Sequence, residues 1–170
     1  MELWDAYDVR GNSLEHTLIR GEEVPAGEYH LVADILVRHT DGSFLLTQRD
    51  PQKPAFPGCW ELSAGGSVLA GETALSGAMR ELREETGIQA DALAPAFEIT
   101  WPGRHAIYHG YVCRYAGDKE AIPLQPGETV AYRWLTLPEL LAFMNDPTFV
   151  ATSRERWGVY LNTLKEAELK

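Results

Sequence analysis

An α/β domain built on a mixed sheet is what the sequence predicts, and three observations predict it. Its 170 residues suit one domain, and 45% hydrophobic against 24% charged residues can form a core without cross-links. Extended apolar stretches at 31–37, 43–49, 60–63, 97–101, 106–115 and 129–135 outnumber the helical ones. Strand and helix do not alternate regularly, which excludes a doubly wound fold.

Taken in order, residues 1–30 are turn-rich, with Gly11, Asn12, Gly21, Pro25 and Gly27 between short apolar pieces. They predict a β-hairpin or arm ahead of the main fold. Asp41 and Gly42 close the strand 31–37 and turn it into its partner at 43–49. Pro51, Pro54 and Pro57 make 50–58 a loop, and a short strand from Trp60 runs into Ala64, Gly65 and Gly66. Over 73–86, Leu75, Ala78, Met79 and Leu82 share an arc of about 100°, the core-facing stripe of a helix that Gly87 ends. Pro138 suits the first turn of a short helix through Met144. A last helix over 152–169 presents Trp157, Tyr160, Leu161 and Leu164 to the sheet, completing one domain over 1–170.

Charge narrows the partners. Fifteen Lys and Arg against 25 Asp and Glu give a net −10, with no dense basic block to hold nucleic acid or an anionic membrane. No apolar run reaches the roughly 18 residues of a membrane span, and residues 1–5 lack a signal-peptide pattern. Cys59 and Cys113 provide neither a disulfide framework nor a zinc motif, so a reducing cytoplasm is the expected compartment. An anionic ligand would need positive charge from elsewhere, and a divalent cation is the obvious source.

The helix over 73–86 carries the chemistry. Glu81, Glu84 and Glu85 stand at i, i+3 and i+4, on one face and near the negative end of the helix dipole. Each such charge costs roughly 0.3–1 kcal/mol against the dipole, where a structural sequence would place Lys or Arg. Arg80 and Arg83 lie elsewhere on the helical wheel, so the acidic face is expected to stay uncompensated. A solvated acidic surface is the plain alternative. Ala74 and Gly77, one turn back, either leave room for a hydrated ion and substrate or pack closely against a loop.

The spacing of Gly66, Glu72, Arg80, Glu81, Leu82, Glu84, Glu85, Gly87 and Ile88 follows G-x5-E-x7-R-E-U-x-E-E-x-G-U, with U aliphatic. Over 66–88 the chain therefore resembles the Nudix hydrolases. The resemblance implies an α/β/α sandwich on a mixed sheet, and cleavage of a nucleoside diphosphate linked to another moiety. It further implies that Glu81, Glu84, Glu85 and the Gly66 carbonyl hold Mg²⁺ or Mn²⁺. Arg80 would orient a neighbouring glutamate, Glu72 would support the ligands from behind, and Glu81 or Glu84 would take the proton of an attacking water.

Outside that stretch, Glu128 is the best candidate for a further ligand or base, and Glu98 the second. Arg49 could reach a phosphate as a forked donor or make a surface ion pair. Trp60 and Trp101 could stack a base or pack in the core, and His105 and His109 share a strand face that could line the substrate pocket.

Arg20-Gly21-Glu22, Tyr29-His30-Leu31, Gln48-Arg49 and Phe56-Pro57-Gly58-Cys59-Trp60 are similar to the isopentenyl-diphosphate isomerases and the Nudix hydrolases nearest them. The isomerase cysteine and an adjacent metal histidine fall on Gly65 and Ser67; His30 matches another histidine, and Cys59 sits six residues too early. Hydrolysis is therefore expected over isomerisation, and a non-catalytic ligand-binding module is the remaining alternative. Trp101-Pro102-Gly103 is similar to the Ser-Pro-Gly of ADP-ribose pyrophosphatases but lacks the glutamate that follows it. The expected partners are a small-molecule diphosphate and, through the N-terminal arm, a second copy of the chain.

Overall fold

A computed structural model describes residues 1–168. β1 (Leu3–Tyr7) and β2 (Ser13–Ile19) form an antiparallel hairpin of their own. The main sheet uses β3 (His30–His39), β4 (Phe44–Arg49), β5 (Trp60–Leu62), β6 (Ala64–Ser67), β7 (Ala94–Trp101), β8 (Ala106–Tyr115) and β9 (Thr129–Leu135). Its order is β5-β4-β3-β8-β7, with β6 on β3 and β9 on β4. β3 and β8 run parallel from His30↔Ala106 to His39↔Tyr115 and the other pairs are antiparallel, so the sheet is mixed.

Alternation along β3 sorts side chains between two faces. Leu31, Ala33, Ile35 and Val37 pack with Ala78 and Leu82 of α1 (Ala74–Thr86). On the opposite face Leu36, with Phe44 and Leu46 of β4, meets Leu137 and Leu140 of α2 (Leu137–Phe143) and Trp157 and Leu161 of α3 (Ala151–Glu168). The predicted last position of that helix, 169, lies outside the described residues.

Two departures from expectation matter for the site. β6 is a strand in its own right rather than the tail of β5, because Ser63 takes a left-handed φ of 23° and turns the chain from β4 to β3. The Ser63 hydroxyl accepts from Val37 N and donates to Leu45 O, both at 2.8 Å, filling the gap where β3 and β4 part. On α1 the buried edge is Gly77, Ala78, Leu82 and Thr86, while Leu75 is 40% exposed. The helix is rotated toward its preceding loop: a Cβ on Gly77 would meet both Val68 methyls at 3.1–3.2 Å. Gly77 is there for close packing, and opens no space for an ion.

α1 begins with a reciprocal cap, Ser76 N donating to the Thr73 hydroxyl at 3.1 Å and Thr73 N to the Ser76 hydroxyl at 2.9 Å. It ends at Gly87, whose φ of 68° lets its N–H reach Arg83 O at 2.9 Å. The hairpin is docked rather than free. Tyr7 and Tyr29 exchange two backbone hydrogen bonds of 2.9 Å, and Trp4, Ala6 and Leu18 are buried together. Trp4, Ala6 and Leu18 of the arm are thus covered within the chain, while Leu3, Val9 and Leu14 stay exposed. Among the described residues, no helix is long and apolar enough to cross a membrane.

Candidate active site

A cavity of about 590 Å³ opens on the even-numbered face of β3. His30 and Val32 of β3 and Ala106 and Tyr108 of β8 form its floor. Gly65, Gly66 and Ser67 of β6 form one edge, beside Glu81, Glu84 and Glu85 of α1. Arg49, Lys53, Arg104, Gln125 and Glu128 come from loops and strand ends around the rim, and Glu2 and Arg20 from the hairpin.

Arg80 organises the acidic side. Its Nε and Nη2 donate to the two Glu72 oxygens at 2.8 and 3.0 Å, and Nη2 also reaches Ser67 O at 3.0 Å. Nη1 donates to Glu81 Oε1 at 2.7 Å and Glu84 Oε2 at 3.2 Å. The acidic face is therefore partly compensated, contrary to expectation: Glu84 stands at i+4 from Arg80, on the same face, and the long guanidinium side chain also reaches round to Glu81. Its grip holds the Glu72 carboxyl below the usual range and raises its own pKa. Glu72 also accepts from Leu69 N at 2.9 Å, tying the loop to the helix.

Glu85 stands apart. It is half-buried, accepts from Gly65 N at 3.1 Å, and has no cation beside it among the described residues. Burial first, and then the charges of Glu61, Glu81 and Glu128, push its carboxyl well above the usual range. Burial also raises Glu81, against the pull of Arg80. The Glu81 carboxylate lies directly over Gly66, where a Cβ would come within 2.5 Å of it. Among the described residues, no three acidic, histidine or cysteine side chains already form a metal-ready cluster, and Arg80 holds one oxygen each of Glu81 and Glu84. The donor set nevertheless fits a hard divalent ion: carboxylate and backbone oxygens, one of the carboxylates lacking a cation, next to a glycine that leaves the approach open.

The opposite rim is cationic. Arg49 Nη1 donates to Glu61 at 2.6 Å and its Nε to Ala55 O at 3.0 Å. Lys53 pairs with Glu128. Arg104 lies over the rings of Phe56 and Trp101, 5.9 and 5.8 Å from their centroids, with no carboxylate partner among the described residues. Beside the floor, on the same face of the sheet, Arg156 of α3 donates to Asp34 at 2.6 Å and covers the Tyr108 ring at 4.4 Å.

Of the residues singled out in the sequence, Gly66, Arg80, Glu81, Glu84, Glu85, Glu128 and Arg49 meet in this cavity, with Glu72 behind Arg80. Trp60 does not line it: Arg133 covers its ring at 3.7 Å and Phe143 meets it edge-on, so it is a packing residue. His105 does not line it either, since its left-handed turn (φ 50°) sends Nδ1 to Glu28 O at 3.0 Å. His109 and the exposed Glu98 pair with each other at 3.6 Å outside it. Lys53, Arg104, Arg20, Glu2 and Glu61 were not singled out for the site. As isolated charges on separate segments they leave no spacing to read, although Glu61 directly follows Trp60.

The NUDIX domain family model matches residues 28–155. An uncharacterized Nudix hydrolase of Listeria monocytogenes is 31% identical over 150 residues, covering 88% of this chain and 89% of its own. An isopentenyl-diphosphate Delta-isomerase of Klebsiella pneumoniae is 30% identical over 118 residues, covering 66% and 64%. Among solved structures, a Deinococcus radiodurans protein superposes with a TM-score of 0.70 at 25% identity, covering 86% of this chain and 90% of that one. The MutT protein of Methanosarcina mazei follows at 0.66 and 25%, covering 84% and 96%. With the family's domain spanning most of its length, and its glutamates and arginine gathered on one cavity wall, the chain belongs to the Nudix hydrolase family.

Proposed function

We propose that this protein is a divalent-metal-dependent hydrolase of small diphosphates, cleaving the diphosphate linkage of a nucleoside diphosphate joined to another moiety or of a similar compound. One observation carries the reading: Glu81, Glu84 and Glu85 face Arg49, Lys53 and Arg104 across a single cavity. A diphosphate complements the cationic rim, and the acidic wall would repel it unless a cation lay between.

Mg²⁺ or Mn²⁺ would be held by Glu81, Glu84, Glu85 and the Gly66 carbonyl. When bound, such an ion supplies positive charge to the diphosphate oxygens and makes water a better nucleophile. The protein does the remainder. Arg49 and Arg104 bind phosphate oxygens and fix the phosphorus for in-line attack. Arg80, held by Glu72, keeps Glu81 and Glu84 aimed into the cavity. Glu81 or Glu84, or Glu128 once Lys53 turns to the substrate, accepts the proton that water loses at a carboxylate oxygen. Gly65 and Ser67 stand where an isomerase would need a cysteine and a histidine, which favours hydrolysis.

Phosphate release across a panel of diphosphates, with Mg²⁺, with Mn²⁺ and with chelator, tests the reading. Turnover is expected only with metal, and Glu84→Gln and Glu85→Gln should each lose about a hundredfold or more while keeping the wild-type circular dichroism. Undiminished turnover in both variants, or in chelator, would contradict it.

A further inference from the structure

We propose that the N-terminal hairpin selects the group attached to the diphosphate, its Arg20–Glu2 pair forming a hydrogen-bonding wall for a hydroxyl-bearing moiety such as a sugar ring; this rests on the diphosphate reading above. The family domain begins at residue 28, and the hairpin is a separate two-stranded sheet ahead of it, yet Glu2 and Arg20 line the same cavity as the catalytic carboxylates. The wall is fixed in place. Leu3 O accepts from Ala70 N and Asp5 Oδ2 from Gly71 N, both at 2.8 Å, on the loop that precedes α1. The Trp4 indole stacks on His30 at the cavity floor, with centroids 4.0 Å apart and an interplanar angle of 15°. Trp4 Nε1 in turn donates to one Glu2 oxygen at 2.9 Å, and Arg20 Nη1 to the other at 2.7 Å.

The pairing decides the ligand chemistry. Arg20 is paired with Glu2, which itself lines the cavity and would repel an anion arriving there, whereas Glu61, the partner of Arg49, does not line it. Side by side, a guanidinium with unused N–H groups and a carboxylate offer donors and acceptors at no net charge. Hydroxyl groups, which both donate and accept, complement that pattern. Both side chains stay accessible, Arg20 at 60% and Glu2 at 31%.

The test compares two non-hydrolysable probes that differ only by a sugar: methylenediphosphonate, and ribose bearing the same methylenediphosphonate on its 5-position. Calorimetric titration with Mg²⁺ present would follow both into wild type, Arg20→Met and Glu2→Gln. Wild type should bind the ribosyl probe more tightly. Each variant should lose about tenfold for that probe and keep wild-type affinity for methylenediphosphonate, with an unchanged melting curve. Equal binding of the ribosyl probe by wild type and variants would overturn the hairpin's role and leave the diphosphate reading standing. Loss of methylenediphosphonate binding in Arg20→Met would make Arg20 a phosphate ligand and overturn the sugar wall. Failure of wild type to bind either probe would overturn both readings.

Discussion

Gly66 is placed so that its missing side chain makes the site possible. The Glu81 carboxylate occupies the volume a Cβ would take, and only the end of that flexible side chain would have to move. Gly66→Ala should therefore leave the melting temperature close to wild type while lowering kcat by about a hundredfold through a displaced carboxylate. Unchanged kcat, measured with the best substrate of the panel, would remove Glu81 from the chemistry. His30 makes a different prediction. It is 9% exposed beneath Trp4, and burial, assisted by His105 and Arg20, lowers its pKa to about 4. The folded state thus keeps it neutral where the unfolded chain, near 6.5, takes up a proton. Its contribution is complete above pH 6.5 and is lost as pH falls from there toward 4, by up to about 3 kcal/mol. Denaturant unfolding of wild type and His30→Gln between pH 4 and 7 should show this slope in the difference; parallel curves would refute it.

At the scale of elements, α3 is tied to the sheet beside the cavity floor by the Arg156–Asp34 pair, 11% and 8% exposed. Arg156→Ala strands a buried carboxylate and should cost about 3 kcal/mol in urea unfolding. A loss below 1 kcal/mol would mean that Asp34 finds water or another donor. α1 shows how far sequence reading reaches. Its span and its glycine cap were legible because the motif and the Gly87 stop are local, but its rotation was not. Four apolar positions fit one arc, yet Leu75 faces solvent because Val68, a residue of the preceding loop, sets how the helix lies. The separate β6 was hidden for a similar reason, since a left-handed serine leaves no compositional trace.

For the molecule as a whole, the half of the site on one helix was readable, and the half assembled from scattered segments was read only at Arg49 and Glu128. Glu81, Glu84 and Glu85 announce themselves by spacing. Lys53, Arg104 and Arg20 converge only after the loops, the β8 start and the hairpin are folded around one cavity. The net charge of −10 concealed that local cationic rim. The same geometry decides between the two readings of Trp60: its strand turns it toward Arg133 and Phe143, so it packs and does not line the cavity.

The central claim is that the acidic wall of this cavity holds a divalent ion. Electron paramagnetic resonance of Mn²⁺ titrated into the protein measures this directly. Wild type should deplete the free-ion signal and titrate to saturation, Glu81→Gln, Glu84→Gln and Glu85→Gln should each weaken that binding, and excess Mg²⁺ should restore the free signal. Identical Mn²⁺ titrations for wild type and all three folded variants would contradict the account.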